Sequence, residues 1–115
     1  MESEGKLQPP SKYLNQRGWL TNGVYTVNPL DMKRHKTGSL RSGKCQFLFY
    51  VDAESAVLDA AAYADRYGLW NAQNKAKVCV VNGFVGVLAT GELTRYINVY
   101  RTDTGFVHGC PGVPP

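Results

Sequence analysis

The chain has 115 residues, a length that holds one domain with a real core and leaves no room for two. Hydrophobic residues make up 43% and charged residues 19%, which excludes wholesale disorder, and no apolar run approaches the length of a membrane span. The net charge of +4, with a pI near 9.1, inclines the chain toward a polyanionic partner.

Residues 1–12 are polar and contain a Pro-Pro pair, and read as a flexible leader or linker. A domain is expected over 13–110, with 111–115 as a short tail. The first hairpin is expected where Trp19-Leu20 and residues 24–27 flank Thr21-Asn22-Gly23. Next comes 33–44, Lys-Arg-His-Lys-Thr-Gly-Ser-Leu-Arg-Ser-Gly-Lys, which carries five Lys/Arg and no acid. Its glycines allow backbone N–H groups to converge on an anion, and Lys36, Arg41, Ser42 and Lys44 are its candidate phosphate ligands. The spacing is not that of a Walker loop, and no helix follows Lys44.

A strand over 46–51 should lead into a helix over about 53–67. Ala53, Ala56, Val57, Ala60, Ala61 and Ala64 recur at helical spacing behind Asp52, a good N-cap, and Gly68 supplies the stop. So small a stripe suits close packing on a sheet. Strands over 77–81 and 84–88 flank Asn82-Gly83, a strong two-residue hairpin signal. Glu92 follows the Thr90-Gly91 turn, with Arg95 three residues on, where it is either a general base held ionised or half of a surface pair.

The last hairpin joins strands over 95–102 and 106–108 through Asp103-Thr104-Gly105. A type I turn followed by a left-handed glycine makes this a three-residue loop, which sets Thr102 opposite Phe106 and Tyr100 opposite His108. Alternation then gathers Asn98, Tyr100, Thr102, Phe106 and His108 on one face and Ile97, Val99 and Val107 on the other. The first set is more polar and aromatic than a core requires, and suits a surface where bases stack and hydroxyls meet phosphates. The whole order predicts an α+β fold, a small antiparallel meander packed against one main helix.

Cys45, Cys79 and Cys110 are odd in number and widely spaced, which argues against a zinc site or a disulfide scaffold and for a reducing compartment. Cys79, in an apolar strand, is expected in the core. The two histidines carry the chemistry: His35 amid cations and His108 at a strand end have the side chain that gives and takes protons near pH 7.

A short basic domain behind a polar leader, closing on the strand–turn–strand that holds Asp103-Thr104-Gly105 and ends at His108, resembles the C-terminal toxin domains of bacterial contact-dependent inhibition and other polymorphic toxin systems. It is similar to ribonuclease toxins of the barnase–EndoU–colicin–RelE (BECR) group. That resemblance implies a metal-independent endoribonuclease without cofactor, acting on RNA, most often tRNA. It also implies a monomer when free, a cognate immunity protein as partner, and delivery within a larger secreted or surface protein into the target bacterium's cytoplasm. A strand-end histidine of that group corresponds to His108, with Arg101, Thr102 and Thr104 as the polar and cationic residues near the site. In such a scheme one histidine, or Glu92, takes the 2′-hydroxyl proton and the other histidine protonates the leaving 5′-oxygen. Two other readings remain open. One is an NAD-dependent ADP-ribosyltransferase using Glu92 and Arg17, although the expected Ser-Thr-Ser strand and Glu-x-Glu pair are missing. The other is a non-enzymatic binding module for nucleic acid or acidic protein.

Overall fold

The structure, a computed structural model, describes residues 10–32, 45–80 and 83–115. In chain order the elements are β1 (Tyr13–Leu14), β2 (Leu20–Thr21), β3 (Thr26–Val27), the single turn α1 (Pro29–Met32), β4 (Gln46–Phe47) and α2 (Ala53–Tyr67). They continue with β5 (Lys75–Cys79), β6 (Gly86–Val87), β7 (Leu93–Thr94), β8 (Tyr96–Arg101) and β9 (Phe106–Gly112). The fold is α+β, with two sheets and one main helix.

The helix forms where its caps place it. The Asp52 side chain accepts a hydrogen bond from the Ser55 N–H at 3.2 Å, and Gly68 takes the left-handed conformation (φ 64°, ψ 42°) that ends the last turn. Ala53, Val57, Leu58, Ala60, Ala61 and Ala64 are buried. Opposite them lie Ala76 and Val78 of β5, Ile97 and Val99 of β8, and Val107 of β9, buried in the same core. The alanines let helix and sheet approach closely, while Val57, Leu58 and Ile97, fully covered, supply the larger share of the apolar stabilisation at roughly 1.5–3 kcal/mol per side chain.

The main sheet has the order β1-β2-β3-β9-β8-β5. Its pairs are antiparallel except β3–β9, which is parallel, with Val27 beside Val107. The expected antiparallel meander is therefore corrected to a mixed sheet. The first hairpin docks sideways onto the last strand, because Val27 and Tyr25 bury into the same core as Val107.

Among the described residues the strands expected over 77–81 and 84–88 do not pair with each other. β5 begins two residues earlier, at Lys75, and pairs along its whole length with β8, while β6 joins β4 and β7 in a separate three-stranded sheet. Val81 and Asn82 of the expected strand and turn lie outside the described residues. The physical reason for the separation is visible at Gly86. A Cβ there would stand 2.3 Å from Pro111 and 2.7 Å from the Gln46 carbonyl, so a side-chain-free strand is seated between β4 and the end of β9. Thr94 Oγ1 fastens this small sheet by donating to the Gly112 carbonyl at 2.7 Å. The strand expected over 46–51 stops at Phe47, after which the Val51 N–H bonds the Leu48 carbonyl in a turn. β9 runs past the expected end at His108 as far as Gly112, so Pro111 and Gly112, placed in the tail by the sequence, belong to the sheet.

The terminal hairpin has the expected register. Gly105 is left-handed (φ 89°), the Thr102 N–H bonds the Phe106 carbonyl at 2.9 Å, and Tyr100 lies opposite His108.

Candidate functional site

α2 covers one face of β5, β8 and β9. Residues of the opposite parity, Lys75, Lys77 and Cys79 on β5, Asn98 and Tyr100 on β8, His108 and Cys110 on β9, are half-exposed on the other. Pairing register arranges them in rows across the strands. One row runs Lys75, Tyr100, His108, and the next runs Lys77, Asn98, Cys110.

The first row is held by ring contacts. The Lys75 ammonium sits 5.4 Å from the centre of the Tyr100 ring. Tyr100 and His108 are stacked, with centroids 5.0 Å apart and planes within 12° of parallel. At the far end α1 contributes Asp31, whose Oδ2 is 3.9 Å from His108 Nδ1. Asp31 reaches it because β3 leads straight into α1. Met32, fully buried, anchors the turn against β9 by accepting the Gly109 N–H at its sulfur, 3.4 Å away. The carboxylate faces the Nδ1 edge of the ring. The contact is solvent-exposed, so its direct worth is about 0.2–1 kcal/mol, enough to orient a ring and too little to hold a fold.

In the second row burial, and then the neighbouring Cys45, push the Cys110 thiol above its ordinary value, against Lys75, Lys77 and a Tyr100 hydrogen bond that pull it down. Cys110 is thus a protonated thiol, and the thiolate that nucleophilic chemistry needs is disfavoured. Burial first, and then Lys75, lower the Lys77 ammonium, which donates to the Val113 carbonyl. Asn98 Oδ1 is buried with no partner among the described residues, and its amide lies over Gly112, where a Cβ would come within 2.6 Å of it. Cys79, expected in the core, instead has the parity of this half-exposed face, opposite Tyr96.

The structure brings together some of the residues singled out from sequence and separates others. Tyr100, His108 and Asn98 share the face as expected. Phe106 continues it and meets Trp19 edge-on, with centroids 5.7 Å apart. Thr102 and Thr104 belong to the loop of the hairpin, their hydroxyls 3.1 Å apart, and the Thr102 hydroxyl accepts the Phe106 N–H.

Arg101 is a correction. Parity sends it to the helix side with Ile97 and Val99, away from His108. There its guanidinium donates to the Tyr25 hydroxyl and Asn74 Oδ1 at 3.1 Å each, lies 3.6 Å from Asp65 and covers the Trp70 ring. Asp65 also accepts from Tyr25 (2.8 Å) and Trp70 (2.6 Å). Burial raises the Tyr25 phenol, the opposing Arg101 contact notwithstanding, which keeps it a donor. Arg101 is a bolt between hairpin and helix.

Glu92 is also displaced. It stands in the β6–β7 turn of the small sheet with its carboxylate 3.3 Å from the Thr90 hydroxyl, while Arg95 lies over the Phe84 ring, so the expected pair is replaced by two separate contacts. Arg17, the other residue of the NAD reading, covers Trp19 beside the first hairpin. His35, Lys36, Arg41, Ser42 and Lys44 lie outside the described residues.

Sequence reasoning missed Asp31, Lys75 and Lys77. The two lysines had a signal, since Lys75-Ala76-Lys77-Val78 alternates, whereas Asp31 meets His108 only through tertiary folding. Among the described residues no group of three or more His, Cys, Asp or Glu has the arrangement of a metal site, and no helix is long and apolar enough to cross a membrane. No family model, no curated protein and no solved structure matches this chain.

Proposed function

We propose that this domain is a metal-independent endoribonuclease toxin that cleaves RNA, with tRNA as the favoured class, by histidine acid–base transesterification. The observation that carries the reading is His108, a half-exposed imidazole stacked on a phenol and faced by a carboxylate, on a sheet face that also carries two lysines. A ring stacked on Tyr100 with the Asp31 carboxylate beside Nδ1 is limited in orientation, as a general acid or base requires.

In the proposed reaction the ribose 2′-hydroxyl loses its proton to one histidine and its oxygen attacks the adjacent phosphorus. The bond to the 5′-oxygen then breaks, and that oxygen takes a proton from the second histidine. The products are a 2′,3′-cyclic phosphate and a 5′-hydroxyl. His108 takes one of these roles. His35 is the sequence candidate for the other, and the cations of 33–44 are candidates for stabilising the extra phosphorane charge. The toxin reading carries with it a cognate immunity protein, delivery within a larger protein and action in the cytoplasm of the target bacterium.

The test is cleavage of total RNA and purified tRNA in excess chelator, with product ends identified. His108→Ala should lower the rate by about 10²–10⁴, the usual worth of a general acid or base, and leave the circular dichroism spectrum unchanged. His35→Ala should fall in the same range. Cleavage that survives His108→Ala, or that stops when divalent metal is removed, would falsify the mechanism.

A further inference from the structure

We propose that Lys75 and Lys77 of the edge strand β5 form a phosphate track, along which the backbone of a single RNA strand follows β5 past the rows that hold Tyr100 and His108. The proposal rests on the ribonuclease reading and adds to it the route of the substrate.

Two residues apart on one strand, the lysines point to the same face with a repeat of about 6.6–6.8 Å, similar to the separation of successive phosphates along an extended single strand. Each heads a row, Lys75 with Tyr100 and His108, Lys77 with Asn98 and Cys110, so a backbone following β5 passes a phosphate at the head of each.

The described cations divide by partner: Lys12 and Arg101 have carboxylates, those of Asp59 and Asp65, whereas Arg17, Arg66, Arg95 and Lys75 lie on aromatic rings and Lys77 meets a carbonyl. Among the described residues neither Lys75 nor Lys77 has a carboxylate partner. Lys75 meets the Tyr100 ring and Lys77 the Val113 carbonyl. Like charges on one face of a strand repel, so the pair carries a cost in the free protein that a bridging anion removes. The Tyr100–His108 stack beside Lys75 adds an aromatic surface for bases, the combination by which single strands are gripped.

Lysines on an edge strand also prevent sheet-to-sheet aggregation. That role predicts a change in light scattering and none in nucleic-acid binding, so the two are separable. The probe is a short fluorescein-labelled RNA, fully 2′-O-methylated so that no nucleophile remains, with binding followed by fluorescence anisotropy over a series of salt concentrations. Each phosphate contact on a single strand contributes about 0.7 to the slope of log K against log salt. Lys75→Gln/Lys77→Gln should therefore lower the slope by roughly 1.4 and weaken binding most at low salt. Lys12→Gln, on a lysine already paired with Asp59, should leave it unchanged. A double variant that keeps the wild-type circular dichroism spectrum and the wild-type slope overturns the proposal, as does a wild-type protein without salt-dependent binding.

The assay needs no turnover, which separates the two readings. A protein that binds with the stated slope and cleaves nothing sinks the ribonuclease and leaves the track standing. Cleavage that needs His108, combined with an unchanged slope in the lysine variant, sinks the track alone.

Discussion

The two faces of the main sheet are built from the same strands, residue by residue in alternation, and share nothing else. On the helix side Ala76, Val78, Ile97, Val99 and Val107 are buried to within a few per cent. On the other side Lys75, Lys77, Asn98, Tyr100 and His108 are half-exposed and polar or aromatic. A backbone register that slipped by one residue would exchange the two sets, placing lysines under the helix and valines in water. The left-handed glycine of the terminal hairpin, Gly105, sets that register and so guards both the core and the candidate site. Stability should reside on one face and activity on the other.

The sharpest way to break this division is a cavity. Ile97→Ala, at a fully buried site, should destabilise the protein by about 2–5 kcal/mol in urea unfolding. Tyr100→Phe, its neighbour on the opposite face, should stay within about 0.5 kcal/mol of wild type. Equal effects would show that the open face is structural after all.

Arg101→Ala should come next, at roughly 1.5–3 kcal/mol for the loss of charge-assisted hydrogen bonds to Tyr25 and Asn74 and the Asp65 pairing. RNA cleavage per folded molecule should be unchanged, because the guanidinium lies on the helix side. A large loss of turnover without loss of stability would restore Arg101 to the site.

Asp31→Asn should act the other way, slowing cleavage by up to about fivefold, the rate equivalent of ~1 kcal/mol, at unaltered thermal stability.

The smallest effect concerns pH. Because the folded Cys110 thiol is raised, the unfolded chain gives up its proton first as the solution becomes alkaline. Stability from this group is therefore complete below the ordinary thiol value of about 8.5 and declines as pH climbs from there toward the folded value. Urea midpoints at neutral and alkaline pH should diverge less in Cys110→Ala than in wild type.

Local signals explain what was legible. Asp52, the alanine spacing and Gly68 define α2 within a few residues of one another, and Asp103-Thr104-Gly105 dictates the Tyr100–His108 pairing in the same way. Parity along β8 already grouped Arg101 with Ile97 and Val99, so its place on the helix side was readable although its catalytic assignment ran against it. Non-local choices were not legible. The segment 84–88 has a strand's composition whichever sheet it joins, and what decides is Gly86 fitting against Pro111, twenty-five positions further on. The parallel docking of β3 on β9 likewise depends on Tyr25 and Val27 finding a core assembled from the other end of the chain.

The amino-acid sequence by itself determined one capped helix, the last hairpin, the existence but not the register of the first hairpin (Thr21 pairs with Thr26 rather than standing in the turn), and the alternation that splits β8 and β9 into an apolar and a polar side. These are short-range matters of backbone torsion, capping and side-chain period, settled between residues a few positions apart. Only the tertiary structure decided that α1 carries Asp31 to His108, that β5 lays Lys75 and Lys77 beside Tyr100, and that β6 and β7 leave the main sheet. Such contacts join residues far apart along the chain, and no local preference distinguishes among partners until the shared core between α2 and the sheet has selected which surfaces can be buried together.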